Sequence, residues 1–109
     1  MAAVRTPALV ESSGFKEAKR ALAGEYREID RVVSDLEDLI RCDYLLPAIQ
    51  VDAKEMPNVY AIRMDYPPLG ERGIGLFLVT YHATPRTPVH PVRPYRTFTM
   101  LTIEERQRR

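Results

Sequence analysis

The sequence predicts a single α+β domain with the order β-α-α-β-β-β, in which an antiparallel sheet carries a two-helix hairpin on one face. Three observations lead to this prediction: helical apolar spacing in the first half of the chain, strand-like alternation in the second half, and breaks rich in proline and glycine between the alternating runs. A chain of 109 residues has the length of one compact domain, so residues 1–109 are assigned to one unit.

A short strand and a helix open the chain. Pro7 precedes the apolar run Ala8–Val10, and this combination predicts a brief edge strand. Ser12 lies where it can cap a helix that begins near Phe15, because a serine oxygen accepts a hydrogen bond from the free N–H groups of a first turn. We expect this helix to end at Gly24.

The second helix has the clearest pattern in the sequence. From Glu25 to about Cys42, apolar residues recur at helical spacing and form one stripe, which consists of Ile29, Val32, Val33, Leu36, Leu39 and Ile40. Together with the helix before Gly24, this segment predicts a helical hairpin. The apolar stripes of both helices need a sheet to cover them.

Three strands supply that sheet. Val59–Asp65 alternates, with Ile62 on one face and Arg63 on the other. Ile74–Tyr81 is apolar on both faces, as expected of a central strand, and Tyr95–Ile103 alternates again. We predict a loop between the second helix and the first of these strands.

A proline occurs at every third position between the last two strands, in the segment Pro85–Pro94. This spacing matches the three-residue turn of polyproline II. Two interpretations follow, a docking peptide for an aromatic groove or a stiff hairpin connection. The flanking strands favour the hairpin connection.

Composition excludes several classes of protein. The chain is 45% hydrophobic with a net charge of +1, which is too apolar and too weakly charged for a disordered chain. No run approaches the roughly 20 apolar residues of a membrane helix, and residues 1–7 lack the apolar stretch of a signal peptide. Cys42 is the only cysteine, which excludes a disulfide-stapled fold. We therefore expect a cytoplasmic protein without a membrane partner.

Charge is unevenly distributed along the chain. Residues 1–55 contain eight Lys/Arg against eleven Asp/Glu, a net charge of −3, whereas residues 56–109 contain eight arginines against four Asp/Glu, a net charge of +4. Every basic residue of the second half is an arginine, whose planar fork fits phosphate and stacks on bases. Such asymmetry indicates a nucleic acid or an acidic partner.

Common catalytic motifs are absent from the sequence. It has no glycine-rich phosphate loop and no nucleophile elbow. His82 and His90 are the only histidines, and with one cysteine they form no zinc set, so we expect no metal and no cofactor. Cys42 is interpreted as a partly buried structural thiol.

Several arginines are expected at the sheet, namely Arg63, Arg72, Arg96, Arg106 and Arg108. If the helices cover the face of Ile62, alternation makes Arg63 project from the open face. Guanidinium groups there can grip phosphates, and a tyrosine at the rim such as Tyr81 can stack on bases, which indicates RNA binding. A set of solvated surface arginines is the alternative.

The order of these segments resembles the RelE/ParE superfamily of bacterial toxins. The resemblance is carried by Asn58–Met64, which contains the Tyr-x-Ile-Arg pattern, then a glycine turn, then Gly75–Tyr81, an apolar strand that ends in tyrosine. Ser13–Leu22 is similar to the first helix of that superfamily and Thr99–Ile103 to its last strand. The likeness covers Leu9–Arg106, nearly the whole chain.

This resemblance implies the toxin of a type II toxin–antitoxin pair, with a cognate antitoxin as partner. RelE-type members cut messenger RNA on the translating ribosome without a metal and thereby inhibit translation. ParE-type members share the fold and poison DNA gyrase. Three functions therefore stay open: a metal-independent mRNA endoribonuclease, a non-enzymatic gyrase toxin, and an inactive toxin-like binding domain. We expect the endoribonuclease.

The resemblance also implies which residues act. Arg63 matches the basic position on the family's strand and is the first catalytic candidate, and Arg106 matches the basic position beyond the last strand. Arg72 in the hairpin turn is the third catalytic candidate. Contacts to RNA are assigned to Arg96, Arg108 and Tyr81 from their expected positions at the sheet, not from the resemblance.

The chain departs from the family pattern at three places. Ala61 replaces a second base on the strand of Arg63, and the arginine of the central strand coincides with Leu76 or Phe77. The tyrosine that some members have on a C-terminal tail is missing, since no tyrosine follows Tyr95.

Overall fold

A computed structural model describes residues 6–42, 48–66 and 75–108, with side chains at 6–42, 48–64 and 77–106. The fold is α+β, with two helices and a five-stranded sheet. In chain order the elements are β1 (Ala8–Glu11), α1 (Ser13–Ala23), α2 (Ile29–Arg41), β2 (Ile49–Asp52), β3 (Met56–Tyr66), β4 (Gly75–Pro85) and β5 (Tyr95–Arg108).

The sheet is mixed, and its strand order is β1-β5-β4-β3-β2. The predicted central strand, β4, does lie in the middle, and β1 is an edge strand as predicted. The expectation of a wholly antiparallel sheet is wrong, because β1 pairs parallel to β5, with Leu9 opposite Phe98. Two strands joined by a tight hairpin must pair antiparallel. β1 and β5 are separated by both helices and three strands, so no hairpin constrains them and they can pair parallel.

A strand that the sequence did not predict forms the other edge. β2 pairs antiparallel with β3, with Ile49 opposite Ala61 and Gln50 opposite Tyr60. The segment was expected to be a loop. Its apolar residues are exposed, with Ile49 at 72% and Val51 at 45%, so β2 is held by backbone pairing to β3 and not by burial.

A capping side chain sets the start of α1, and a buried tyrosine precedes the start of α2. Ser12 is the N-cap of α1, and its Oγ accepts a hydrogen bond from the Phe15 N–H at 3.1 Å. Gly24 is the C-cap as predicted, with an ordinary right-handed φ of −65°. α2 begins at Ile29, four residues after the predicted start, because Tyr26 is buried in the preceding turn and packs edge-on against Phe77 at 4.9 Å.

The hydrophobic core lies between the helices and one face of the sheet. Each helix contributes the buried residues of its apolar stripe. The three long strands, β3, β4 and β5, contribute the alternate residues that face the helices. These core side chains include Phe15, Ile29, Val33, Ile40, Ile62, Met64, Phe77, Val79, Phe98, Met100 and Ile103. The sheet therefore has one covered and one uncovered face.

The proline-rich segment connects β4 to β5 as a hairpin loop. The Arg86 N–H donates to the Pro94 carbonyl at 2.8 Å, and Arg86 Nε donates to the Arg93 carbonyl at 3.0 Å. Nδ1 of His90 accepts hydrogen bonds from the backbone N–H groups of Val92 and Arg93. These bonds close the segment on itself, in agreement with the hairpin interpretation.

Within residues 6–42, 48–66 and 75–108, no helix combines the length and the apolar content that a bilayer span requires.

Candidate functional site

The uncovered face of the sheet presents every second residue of β3, β4 and β5. On β3 the covered face takes Ile62 and Met64, which are 3% and 5% exposed, and the uncovered face takes Arg63 between them. Arg63 is an exposed residue. Its position therefore follows from the alternation of the strand.

Arg63 heads a row of three residues across the uncovered face. It pairs with Leu78 of β4, and Leu78 pairs with Glu104 of β5. Directly paired residues share a face of the sheet, so the three side chains project on the same side. Leu78 is uncharged, and the row consequently has a cation at one end and a carboxylate at the other.

Arg106 joins this row from the end of β5. Its Nη1 donates to Oε1 of Glu104 at 3.5 Å, and the two side chains are 59% and 55% exposed. Arg106 lies at a register shift, because Glu105 pairs with Phe77 and Gln107 pairs with Leu76. Strand spacing of about 4.8 Å and a rise of about 3.3 Å per residue put the Cα atoms of Arg63 and Arg106 about 12 Å apart.

Of the other predicted arginines, Arg96 lies away from this row. Arg96 is exposed at the opposite end of β5, about 30 Å from Arg106 by the rise of a strand. The backbone of Arg108 pairs with Gly75, but its side chain is outside the described part. Arg72 lies outside the described residues altogether.

Tyr81 lies on the covered face of β4 and is 6% exposed. Its ring stacks on Tyr60 at 5.9 Å and meets Phe98 edge-on at 6.0 Å. Burial, with a smaller contribution from Tyr60, raises the pKa of Tyr81 to about 12. Tyr81 is thus on the opposite side of the sheet from Arg63, and this placement does not suit base stacking beside the arginines.

The rest of the uncovered face is largely neutral. His82 pairs with Val59 and Thr99, and its Nδ1 lies 3.4 Å from the Thr84 hydroxyl. It is four residues beyond Leu78 on β4, about 13 Å along the strand. Threonine hydroxyls line β4 and β5 on this face, at Thr80, Thr84, Thr97, Thr99 and Thr102.

The two positions where family bases are missing differ in their surroundings. Ala61 is on the uncovered face, two residues before Arg63 and opposite Thr80. Phe77 is fully buried under the helices and pairs with Met64. A cation at position 77 would therefore lie in the core, whereas a cation at position 61 would have extended the charged row.

Glu104 is a candidate functional residue of this face that the sequence pattern did not indicate. Strict alternation from Phe98 and Met100 would give Glu104 to the covered face, but a register shift near Leu101 reverses the order, so that Ile103 is buried and Glu104 is exposed. The signal was present, because an isoleucine next to a glutamate is easier to bury than the glutamate.

A second charged cluster lies on the helical side, between β1, α1 and α2. Nζ of Lys19 donates to both carboxylate oxygens of Glu11. Burial, with a hydrogen bond to Glu11, raises the pKa of Glu37 to about 8, and Oε2 of Glu37 is buried without a partner. For Glu11, burial raises the pKa, but hydrogen bonds from Glu37 and Lys19 outweigh it and leave the pKa lowered. The shared proton therefore resides on Glu37.

A cavity of about 320 Å³ adjoins this cluster, lined by Glu11, Lys16, Lys19, Arg20, Ala23 and Asp30. Its lining includes two acidic and three basic side chains, and Lys19 is already bound to Glu11. This cavity is on the side of the sheet that carries the helices, away from Arg63. It contributes nothing to the arginine row.

Among the described residues, no three His, Cys, Asp or Glu side chains come together as a metal-binding group. Cys42 has a free thiol and is exposed at the C-cap of α2, so the expectation of a partly buried thiol is wrong. Comparisons with protein-family models, with curated proteins and with solved structures found no match.

Proposed function

We propose that this protein is the toxin of a toxin–antitoxin pair and that it cleaves messenger RNA without a metal ion. The observation that carries the proposal is the exposure of Arg63 on the uncovered face, with Arg106 within reach of the same ligand. Two guanidinium groups on separate strands can hold one phosphodiester between them, because each arginine fork binds phosphate oxygens bidentately.

The chemistry of RNA self-cleavage suits such a site. The 2′-oxygen of a ribose attacks the adjacent phosphorus, the bond from phosphorus to the 5′-oxygen breaks, and the products carry a 2′,3′-cyclic phosphate and a 5′-hydroxyl. Negative charge builds on the phosphoryl oxygens in the transition state. Arg63 and Arg106 would stabilise that charge, and their strands fix the backbone of the RNA in position.

The arrangement of elements supports the family part of the proposal. A helical hairpin lies on one face of the sheet, and the strand of Arg63 is next to the central strand β4, as the resemblance implies. In the proposal the protein acts in the cytoplasm, on mRNA that is free or bound to the ribosome. Its cognate antitoxin would mask the arginine face with an acidic segment or pack along the helices.

Induced expression of the protein, followed by mapping of mRNA 5′ ends, tests this function. We expect new ends within coding sequences, which disappear with Arg63→Ala. Arg27→Ala is the matched control, because Arg27 is an exposed arginine in the turn between α1 and α2, on the helical side. It should leave the cuts unchanged.

Two other outcomes would replace the proposal. Arrested growth with intact mRNA and altered DNA supercoiling would favour a ParE-like toxin that acts on gyrase. Normal growth and intact mRNA would favour a toxin-like binding domain. In both cases Arg63→Ala would no longer define an RNA-cleavage site.

A further inference from the structure

We propose that Glu104 is the general base of this cleavage and that Arg63 and Arg106 hold the phosphate beside it. The inference rests on the proposed function and adds a residue that the sequence pattern did not single out. It starts from the row of Arg63, Leu78 and Glu104 and from the contact between Glu104 and Arg106.

The reaction needs a group that takes the proton of the 2′-hydroxyl. Arginine remains protonated and cannot serve as a base. Tyr81 is buried on the other face of the sheet, and His82 is about 13 Å along β4 from the row. Among the described side chains at this end of the uncovered face, Glu104 is the carboxylate that remains.

The row places Arg63 and Glu104 on either side of Leu78. Leu78 separates Arg63 from Glu104, so a phosphate that lies over Leu78 has a guanidinium on one side and a carboxylate on the other. The pair of Glu104 and Arg106 is more than half exposed, and exposed ion pairs are weak. The Arg106 guanidinium can therefore turn to the phosphate and leave the carboxylate free.

The proposed step balances without a further reactant. Glu104 accepts the 2′-hydroxyl proton while the 2′-oxygen forms its bond to phosphorus, and the electron pair of the breaking bond stays on the 5′-oxygen. Water supplies the proton that this 5′-oxygen takes up, and Glu104 then returns its own proton to solvent. Arg63 and Arg106 interact with the phosphoryl oxygens throughout.

The test compares wild-type protein with Glu104→Gln and Glu104→Asp in single-turnover cleavage of RNA across a range of pH. The substrates are a single-stranded RNA and a ribosome programmed with mRNA. We expect Glu104→Gln to lower the rate about 100-fold or more, with RNA binding retained, and to abolish the decline in rate at acidic pH. Glu104→Asp should restore part of the rate. Glu17→Gln, at an exposed position of α1, is the matched control.

The direction in which Glu104→Gln changes the cleavage rate distinguishes a general base from a carboxylate that only forms a surface ion pair. A carboxylate that only pairs with Arg106 repels RNA, so its removal would leave the rate unchanged or raise it, and that result would overturn the assignment of Glu104. Wild-type protein that cleaves neither substrate would overturn the proposed function itself. Thermal unfolding of each variant excludes loss of the fold as the cause.

Discussion

Both carboxylate oxygens of Glu11 accept hydrogen bonds from Nζ of Lys19, at 2.9 and 2.8 Å. The Lys19 ammonium helps to keep Glu11 charged. Burial and the neighbouring Glu11 raise the pKa of Glu37 on α2, so Glu37 holds the proton of the pair. The edge strand β1 is thereby tied to both helices. The strand is also held by its four-residue parallel pairing with β5 and by packing of Leu9 against the core.

The first prediction concerns the pH dependence of stability. The pKa of Glu37 is raised from 4.5 to about 8 in the folded protein, so the folded state binds this proton more tightly than the unfolded state. The resulting contribution to the free energy of unfolding is complete below pH 4.5 and is lost as the pH rises through 8. Glu37→Gln, which stays neutral, should be more stable than wild type at pH 9 by on the order of 1–2 kcal/mol, a value reduced for solvent screening of a partly exposed group.

Thermal unfolding at several pH values checks this expectation. The difference in melting temperature between Glu37→Gln and wild type should grow from pH 5 to pH 9. Glu17→Gln removes a carboxylate from an exposed position of α1 and should show no such trend. Parallel pH profiles for wild type and Glu37→Gln would contradict the shared proton.

The second prediction concerns the start of α1. Ser12 accepts from the Phe15 N–H at 3.1 Å and donates to the Leu101 carbonyl at 3.2 Å, so one side chain caps the helix and ties it to β5. Ser12→Ala should cost about 0.5–2 kcal/mol in the free energy of unfolding, measured by denaturant titration. Ser13→Ala is the control, because Ser13 is the exposed first residue of the helix. Equal losses for both variants would rule out the cap.

The elements that bury one face strongly were predictable from the sequence. The apolar stripe of α2 and the apolar run of β4 both predicted their elements, because most of the stripe and alternate residues of β4 are buried in the core. β2 escaped prediction since its apolar residues are exposed and its stability comes from backbone pairing with β3. A single sequence has no local signal for such pairing.

The candidate site was only partly predictable for a related reason. Arg63 lies in a regular stretch of β3, where period-two alternation places side chains reliably. β5 has register shifts near Leu101 and Arg106, and each shift reverses the alternation that follows it. Glu104 was overlooked for that reason. Tyr81 was expected at a rim, but β4 continues to Pro85, so Tyr81 lies within the strand and is buried.

The third prediction separates structure from RNA contact at Tyr81. Its ring packs among aromatic residues on the covered face, and burial raises its pKa to about 12, so the hydroxyl stays protonated near neutral pH. Tyr81→Phe should therefore leave RNA cleavage and binding unchanged. Tyr81→Ala should destabilise the fold by about 3–5 kcal/mol through the cavity that it leaves, measured by denaturant titration. A loss of cleavage in a stably folded Tyr81→Phe variant would return the hydroxyl to the site.

The last prediction uses salt dependence to locate the arginines that touch RNA. Each guanidinium that neutralises a phosphate of a single strand contributes about 0.7 to the slope of log affinity against log salt concentration. For a short RNA with 2′-O-methyl groups, which prevent cleavage, Arg63→Ala and Arg106→Ala should each lower the slope by about that amount. Arg96 lies about 30 Å from Arg106, so Arg96→Ala should leave the slope for a short RNA unchanged.

Binding titrations at several salt concentrations give the slopes, with Arg27→Ala as control. Equal losses for Arg63→Ala, Arg96→Ala and Arg27→Ala would show diffuse attraction to a basic surface, and the arginine row would then not be the site.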